Sequence, residues 1–230
     1  MEKSPIKNKK LVSKGFLCNV SRMTVRVKIC GVKTIEIASI CMDAQADFIG
    51  LNFSPESKRR VDLESAFKIY NHVKKNSASL FVVGLFYKNS SAEIESIVKE
   101  IPFDFVQFVA HDETVEHDFY KGLGKNLIPQ ISVKESISDS DLSLYKGELI
   151  ILDSYKEGMG GGSGEVFNWD NVSSVRRKYL LAGGLNPSNV ERAVDVLNPF
   201  GVDVASGVES SPGVKDPKLI EEFIRNAKRI

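Results

Sequence analysis

From Val25 onward the chain alternates short apolar runs with longer stretches in which apolar residues recur every three or four positions. The apolar runs fall at 25–29, 48–53, 80–86, 105–109, 127–131, 149–152, 179–182 and 201–205, and each reads as a β-strand. Helical periodicity fits the intervals at 34–45, 62–75, 91–101, 114–122, 137–145, 169–177 and 189–197, and 216–228 closes the chain. Start signals support several of these helices. Ser90 and Ser188 each stand three residues before a glutamate, Glu93 and Glu191, as in a capping box. Asp216-Pro217 places a capping carboxylate before a proline at the first helical position.

Eight strand–helix units in about 200 residues predict a closed (β/α)8 barrel. An open doubly wound sheet is the competing architecture, but no GxGxxG follows the first strand. Pro129 is the awkward residue, because a closed barrel has no free edge on which a strand proline is harmless, so a bulge or strand end is expected there.

Composition narrows the class without naming a function. The 230 residues, 42% apolar and 27% charged, suit one soluble globular domain. The 31 Lys and Arg against 30 Asp and Glu give no global case for nucleic acid or an anionic membrane. The distribution is uneven. Residues 1–24 hold six basic side chains against Glu2, whereas residues 25–230 hold 25 against 29 acidic ones. We therefore expect a disordered basic N-terminal extension over 1–24 and a barrel domain over 25–230, with the functional start near Met23. Cys18, Cys30 and Cys41 are odd in number and lack metal-binding spacing, which fits a reducing, cytoplasmic setting and no metal. No run approaches the length of a membrane span.

Glycines cluster at the ends of the late strands: Gly160-Gly161-Gly162-Ser163-Gly164, then Gly183-Gly184, then Ser206-Gly207. Alone, each reads as a tight turn. In a barrel, however, the loops after the seventh and eighth strands commonly cradle a phosphate with backbone N–H groups. Three clusters at one face make a phosphorylated small molecule the leading ligand class, with Gly162, Ser163, Gly164, Gly183, Gly184, Ser206 and Gly207 as candidate contacts. Cys30, at the end of the first strand, falls where a barrel does its chemistry.

The motifs Lys28-Ile29-Cys30-Gly31, Ser57-Lys58-Arg59-Arg60-Val61, Val106-Gln107, Asp153-Ser154 followed by Gly161-Gly162-Ser163-Gly164, Leu181-Ala182-Gly183-Gly184-Leu185-Asn186-Pro187 and Ser206-Gly207-Val208-Glu209 stand in that order along the chain. Together they resemble the phosphoribosylanthranilate isomerase family across residues 25–230. The resemblance implies a single TIM barrel in tryptophan biosynthesis that acts on a phosphoribosyl substrate by an Amadori rearrangement, without cofactor or metal. It leaves monomer and homodimer equally open. It also implies Asp153 as acid, Cys30 as base, and Arg59, Gln107 and Asp203 as substrate contacts. Asp203 on its own also reads as a structural hydrogen-bond acceptor.

One segment departs from the family pattern: Val106-Gln107-Phe108-Val109-Ala110-His111 displaces the family's histidine and lacks its glycine. His111 reads as a solvated loop residue. An acid and a base at neutral pH require opposite shifts, so burial is expected to raise Asp153, and Lys28 with strand-end N–H groups to favour the Cys30 thiolate. Two other readings compete. One is a histidine-pathway type of isomerase, which uses paired aspartates and lacks the cysteine motif. The other is a catalytically silent phosphosugar sensor, which would need neither Cys30 nor Asp153.

Overall fold

The computed structural model describes residues 24–110, 117–145, 147–153 and 168–230. Each of the eight apolar runs forms a strand: β1 (Arg26–Cys30), β2 (Phe48–Asn52), β3 (Phe81–Phe86), β4 (Phe105–Val109), β5 (Asn126–Ser132), β6 (Ile150–Asp153), β7 (Tyr179–Ala182) and β8 (Gly201–Val204). All pair in parallel and in chain order, and β1 pairs with β8 to close the barrel. The fold is the expected (β/α)8 barrel.

Successive side chains of a strand point to opposite faces, and paired residues share a face, so the register sorts them into two sets. Phe48, Val83, Ile128, Leu149, Ile151, Leu180 and Ala182 pack together inside the barrel. Val27, Ile29, Ile49, Leu51, Val82, Val106, Leu152, Leu181 and Val202 face outward against the helices, in the larger apolar cluster.

Helices α1 (Ile35–Asp43), α2 (Leu63–Asn76), α3 (Ser91–Glu100), α4 (His117–Gly122), α5 (Val190–Leu197) and α6 (Pro217–Lys228) follow strands one to four, seven and eight. Their starts are chemical. Ser90 caps α3 by accepting from Glu93 N, and Asp216 caps α6 by accepting from Lys218 N and Leu219 N, with Pro217 in the first turn. The expected box at Ser188 does not form. Asn189 holds the N-cap position of α5, while the Ser188 hydroxyl donates to Asn186 Oδ1 at 2.6 Å.

Two expected helices are absent or shortened, for one reason. Within 137–145 only turns form, over 139–144, with Ser138 N and Oγ both bonded to the Asp141 carboxylate. Of 169–177 only Trp169–Val172 is helical, as a 3-10 turn, and the Asp139 carboxylate takes the N–H groups of Arg176 and Arg177 that a longer helix would have used. Short polar side chains here outbid the helical backbone.

Pro129 also corrects an expectation. It sits within β5, opposite Phe108 of β4, in a register that runs unbroken from Asn126 to Gln130. Pairing with β6 begins only at Gln130, opposite Ile151, so the missing N–H removes no bond from the ladder. Residues 1–23 of the expected N-terminal extension, and residues 114–116 of the helix expected over 114–122, lie outside the described residues.

Candidate active site

Register places the candidate residues. Lys28 pairs with Phe48 and with Asp203, and Gln107 pairs with Ile128, so Lys28, Asp203 and Gln107 share the inward face. Two residues further along their strands, Cys30, Gln130 and Asp153 keep the same parity as Lys28, Ile128 and Ile151. The interior is apolar lower down and polar at the carboxyl ends of the strands, which is the mouth of the barrel. β1 and β6 are separated by β8 and β7 in the closed ring.

At the centre stands Lys28, fully buried, with Nζ donating to Asp203 Oδ1 at 2.9 Å. Burial alone would lower its pKa, but Asp203 and the Cys30 thiol outweigh it and hold the lysine above its ordinary value. Gly50 makes room for this pairing. A Cβ there would lie 3.0 Å from Cys30 Sγ and 3.2 Å from Lys28 Nζ, tight for both.

Cys30 does not follow the expected direction. Burial pushes its thiol above the ordinary value; Lys28 pulls it down but not far enough, and Asp203 pushes it up further. The strand-end N–H groups give no help, since Gly31 and Val32 both donate to Gly50 O.

Asp153 follows it. Burial, with the Asp203 charge adding, raises the carboxyl to about 6, against a hydrogen bond from Gln130 and the attraction of Lys28. Gln130 Nε2 donates to Asp153 Oδ2 at 2.7 Å, and Gln107 Nε2 donates to Gln130 Oε1 at 2.7 Å. The chain of amides ends at Gln107 Oε1, buried and without a hydrogen-bond partner among the described residues. Sequence reasoning singled out Gln107 but missed Gln130, which stands beside an awkward proline and in no motif.

Arg59 reaches the mouth by lying over Gly31, whose φ of +79° and missing side chain leave space for the arginine stem. Its Nε and Nη2 donate to the two oxygens of Glu209 at 2.7 and 2.9 Å, leaving Nη1 outside the pair. Lys215 Nζ joins at 2.9 Å from Glu209 and also donates to Ala205 O. Burial alone would raise Glu209, but these donors and Gly213 N hold it at about 2. Glu209 lies in a quoted motif, yet nothing in that motif shows that it grips Arg59.

The loops after β7 and β8 meet. Gly183 and Gly184 have φ of +91° and +67°, a backbone that side chains rarely adopt. A Cβ on Gly207 would lie 1.9 Å from Leu185 O, so only glycine permits this approach. Ser206–Val208 forms a short 3-10 turn at the same place. Gly162, Ser163, Gly164 and His111 lie outside the described residues.

Cys41, on α1, is buried, its thiol pushed up to about 12, as befits a packing residue. Among the described residues, no His, Cys, Asp and Glu group of three or more is arranged to hold a metal ion, and no helix is long and apolar enough to cross a membrane.

Comparison with known proteins points in one direction. Residues 27–226 match the family model described as N-(5'phosphoribosyl)anthranilate (PRA) isomerase. The N-(5'-phosphoribosyl)anthranilate isomerase of Leptospira interrogans serovar copenhageni is 50% identical over 208 residues, which cover 90% of this chain and 97% of the relative. The crystal structure of the Thermotoga maritima phosphoribosyl anthranilate isomerase superposes with a TM-score of 0.76 at 33% identity, over 90% of this chain and all of that one. A phosphoribosyl anthranilate isomerase solved in complex with reduced 1-(o-carboxyphenylamino)-1-deoxyribulose 5-phosphate gives 0.70 at 30% identity, with the same coverage.

Proposed function

This chain belongs to the phosphoribosylanthranilate isomerase family, and from that premise we propose that Asp153 is the acid and Cys30 the base of its reaction. The reaction is the Amadori rearrangement of N-(5-phosphoribosyl)anthranilate to 1-(2-carboxyphenylamino)-1-deoxyribulose 5-phosphate in tryptophan biosynthesis.

Two proton transfers define the chemistry. In the first, Asp153 gives its proton to the ribose ring oxygen as the C1′–O bond breaks, and the anilino nitrogen lone pair forms the C1′=N bond of a Schiff base. In the second, the Cys30 thiolate removes the C2′ proton; the C–H electrons become a C1′=C2′ bond and the C=N electrons return to nitrogen. Tautomerisation of the resulting enol to the ketone completes the product.

The single observation that carries this reading is the raised carboxyl of Asp153. At about 6, roughly one tenth of it is protonated at pH 7, and a carboxyl poised there is an effective acid. Cys30 shares its inward face and sits against the Lys28 ammonium, which stabilises a thiolate once the proton leaves.

Substrate contacts follow by chemistry. Arg59, with Nη1 outside its Glu209 pair, suits the anthranilate carboxylate. Gln107 Oε1 offers a buried acceptor to a substrate N–H or O–H. Asp203, already engaged by Lys28, lies beside the ribose or amine. Gly183, Gly184, Ser206 and Gly207 supply phosphate donors, and we extend the phosphate site to Gly162, Ser163 and Gly164. The free thiols of Cys30 and Cys41 suit the reducing cytoplasm, where we place the enzyme.

The test is turnover: phosphoribosylanthranilate fluorescence should disappear at a rate proportional to added protein. No loss of fluorescence over the uncatalysed background would overturn the reading.

A further inference from the structure

The role of Gln130 lies outside that assignment and rests on it. We propose that Gln130 is a positioning residue for Asp153: its bond to Oδ2 leaves Oδ1 as the oxygen that carries and delivers the proton, and Gln107 locks Gln130 in that orientation.

A primary amide has one donor end and one acceptor end. The ionised Asp153 carboxylate only accepts, so Gln130 must turn Nε2 toward it, and Oε1 then faces Gln107, whose Nε2 donates. Turned over, Gln130 would set its oxygen against the carboxylate and its NH2 against the Gln107 NH2. Both contacts would then be repulsive. The chain therefore has one polarity, set at the Asp153 end. When Asp153 takes up a proton, Oδ2 stays occupied by Gln130 and the proton goes to Oδ1, which has no hydrogen-bond partner among the described residues.

Position supports this as much as bonding does. Gln130 sits on the neighbouring strand and points into the barrel beside Ile128, and its backbone O accepts from Ala110 N, which fixes that level of β5 against β4. Among the described residues, the charged groups acting on Asp153 are Asp203 from β8 and Lys28 from β1, and β7 presents Ala182 opposite it. Neither charge touches Oδ2, so the orientation of the carboxyl depends on Gln130.

The pH profile of kcat distinguishes this role from mere packing. With Asp153 at about 6 and Cys30 above the ordinary thiol value, the low-pH limb follows Asp153 and the high-pH limb follows Cys30. Gln130→Met keeps the bulk and removes the donor that favours the ionised carboxyl. Its low-pH limb should move up by about one pH unit, the effect of one hydrogen bond to a charged group. Gln107→Met, which frees Gln130 to turn, should move it in the same direction by less. In an Asp153→Asn background, Gln130→Met should cause little further loss of kcat. Should Gln130→Met fail to fold, Gln130→Glu replaces it, and its like charge should move the limb the same way. An unmoved limb, or an undiminished effect of Gln130→Met in the Asp153→Asn background, would overturn the inference. Near-normal kcat in Asp153→Asn alone would instead overturn the assignment of Asp153 as the acid, so the two failures are distinguishable.

Discussion

Lys28 and Asp203 face each other across the β1/β8 pairing, ammonium to carboxylate at 2.9 Å, with the lysine wholly buried. The charges of this pair act on both Asp153 and Cys30, the proposed acid and base. Lys28 favours the ionised form of both Asp153 and Cys30, and Asp203 opposes it at both.

Breaking that pair from one side should therefore be felt twice. Lys28→Met leaves the Asp203 charge buried without its cation, a change that costs about 3–5 kcal/mol when a buried pair loses one partner. Urea unfolding should show that loss, and thiol titration should place Cys30 higher than in the wild type. The double variant Lys28→Met/Asp203→Leu should recover much of the stability but not the activity. Unfolding midpoints equal to the wild type in Lys28→Met would show that the pair carries no such weight.

The raised carboxyl of Asp153 that suits its proposed role should cost stability. Its folded pKa of about 6 lies above the ordinary 3.8, so the folded state is favoured below pH 3.8 and loses ground as pH rises through 6. At pH 8 the full penalty is about 3 kcal/mol. Asp153→Asn removes the titration, so the variant should melt above the wild type at pH 8, with the advantage shrinking toward pH 4. Equal melting temperatures across that range would mean that Asp153 titrates near its ordinary value.

The eight strands were legible because a barrel strand is covered on both faces and so reads as an apolar run, and the barrel followed from their number. The helices after β5 and β6 were misread because Ser138, Asp139 and Asp141 satisfy backbone N–H groups locally, and no apolar periodicity records that competition. The inward places of Cys30 and Asp153 at their strand ends were legible through motifs. Gln130 and the grip of Glu209 on Arg59 were not, since both depend on which strands and loops become neighbours, and residues 107 and 130 or 59 and 209 meet only in the closed barrel. The direction of the Cys30 shift failed for a similar reason: sequence shows a nearby lysine but not the depth at which both are buried.

Phosphate recognition predicts a competition. Gly183→Val forces a β-branched side chain into a φ of +91° beside the Gly207 approach, and anchoring a remote phosphate supplies binding energy to the reacting centre. The variant should lose most of kcat/KM, and inorganic phosphate should inhibit the wild type competitively. Wild-type kinetics in the variant, with no inhibition by phosphate at high concentration, would mean that the phosphate binds elsewhere.

The N-terminal segment should be dispensable. β1 starts at Arg26, closes the barrel against β8 by pairing with Gly201, and the family match starts at residue 27. A chain beginning at Met23 should match the full chain in melting temperature and kcat. A marked drop in either would show that residues 1–22 pack on the barrel.

The central claim is that Asp153 and Cys30 form one acid–base pair, and single-turnover kinetics of Asp153→Asn and Cys30→Ser test it most directly. A positioned acid or base contributes about 10²- to 10⁴-fold. Each variant should lose that much in rate on phosphoribosylanthranilate while keeping the wild-type circular dichroism spectrum and nearly the same affinity for the reduced product analogue. A near-normal rate in either variant, with the fold intact, would contradict the account.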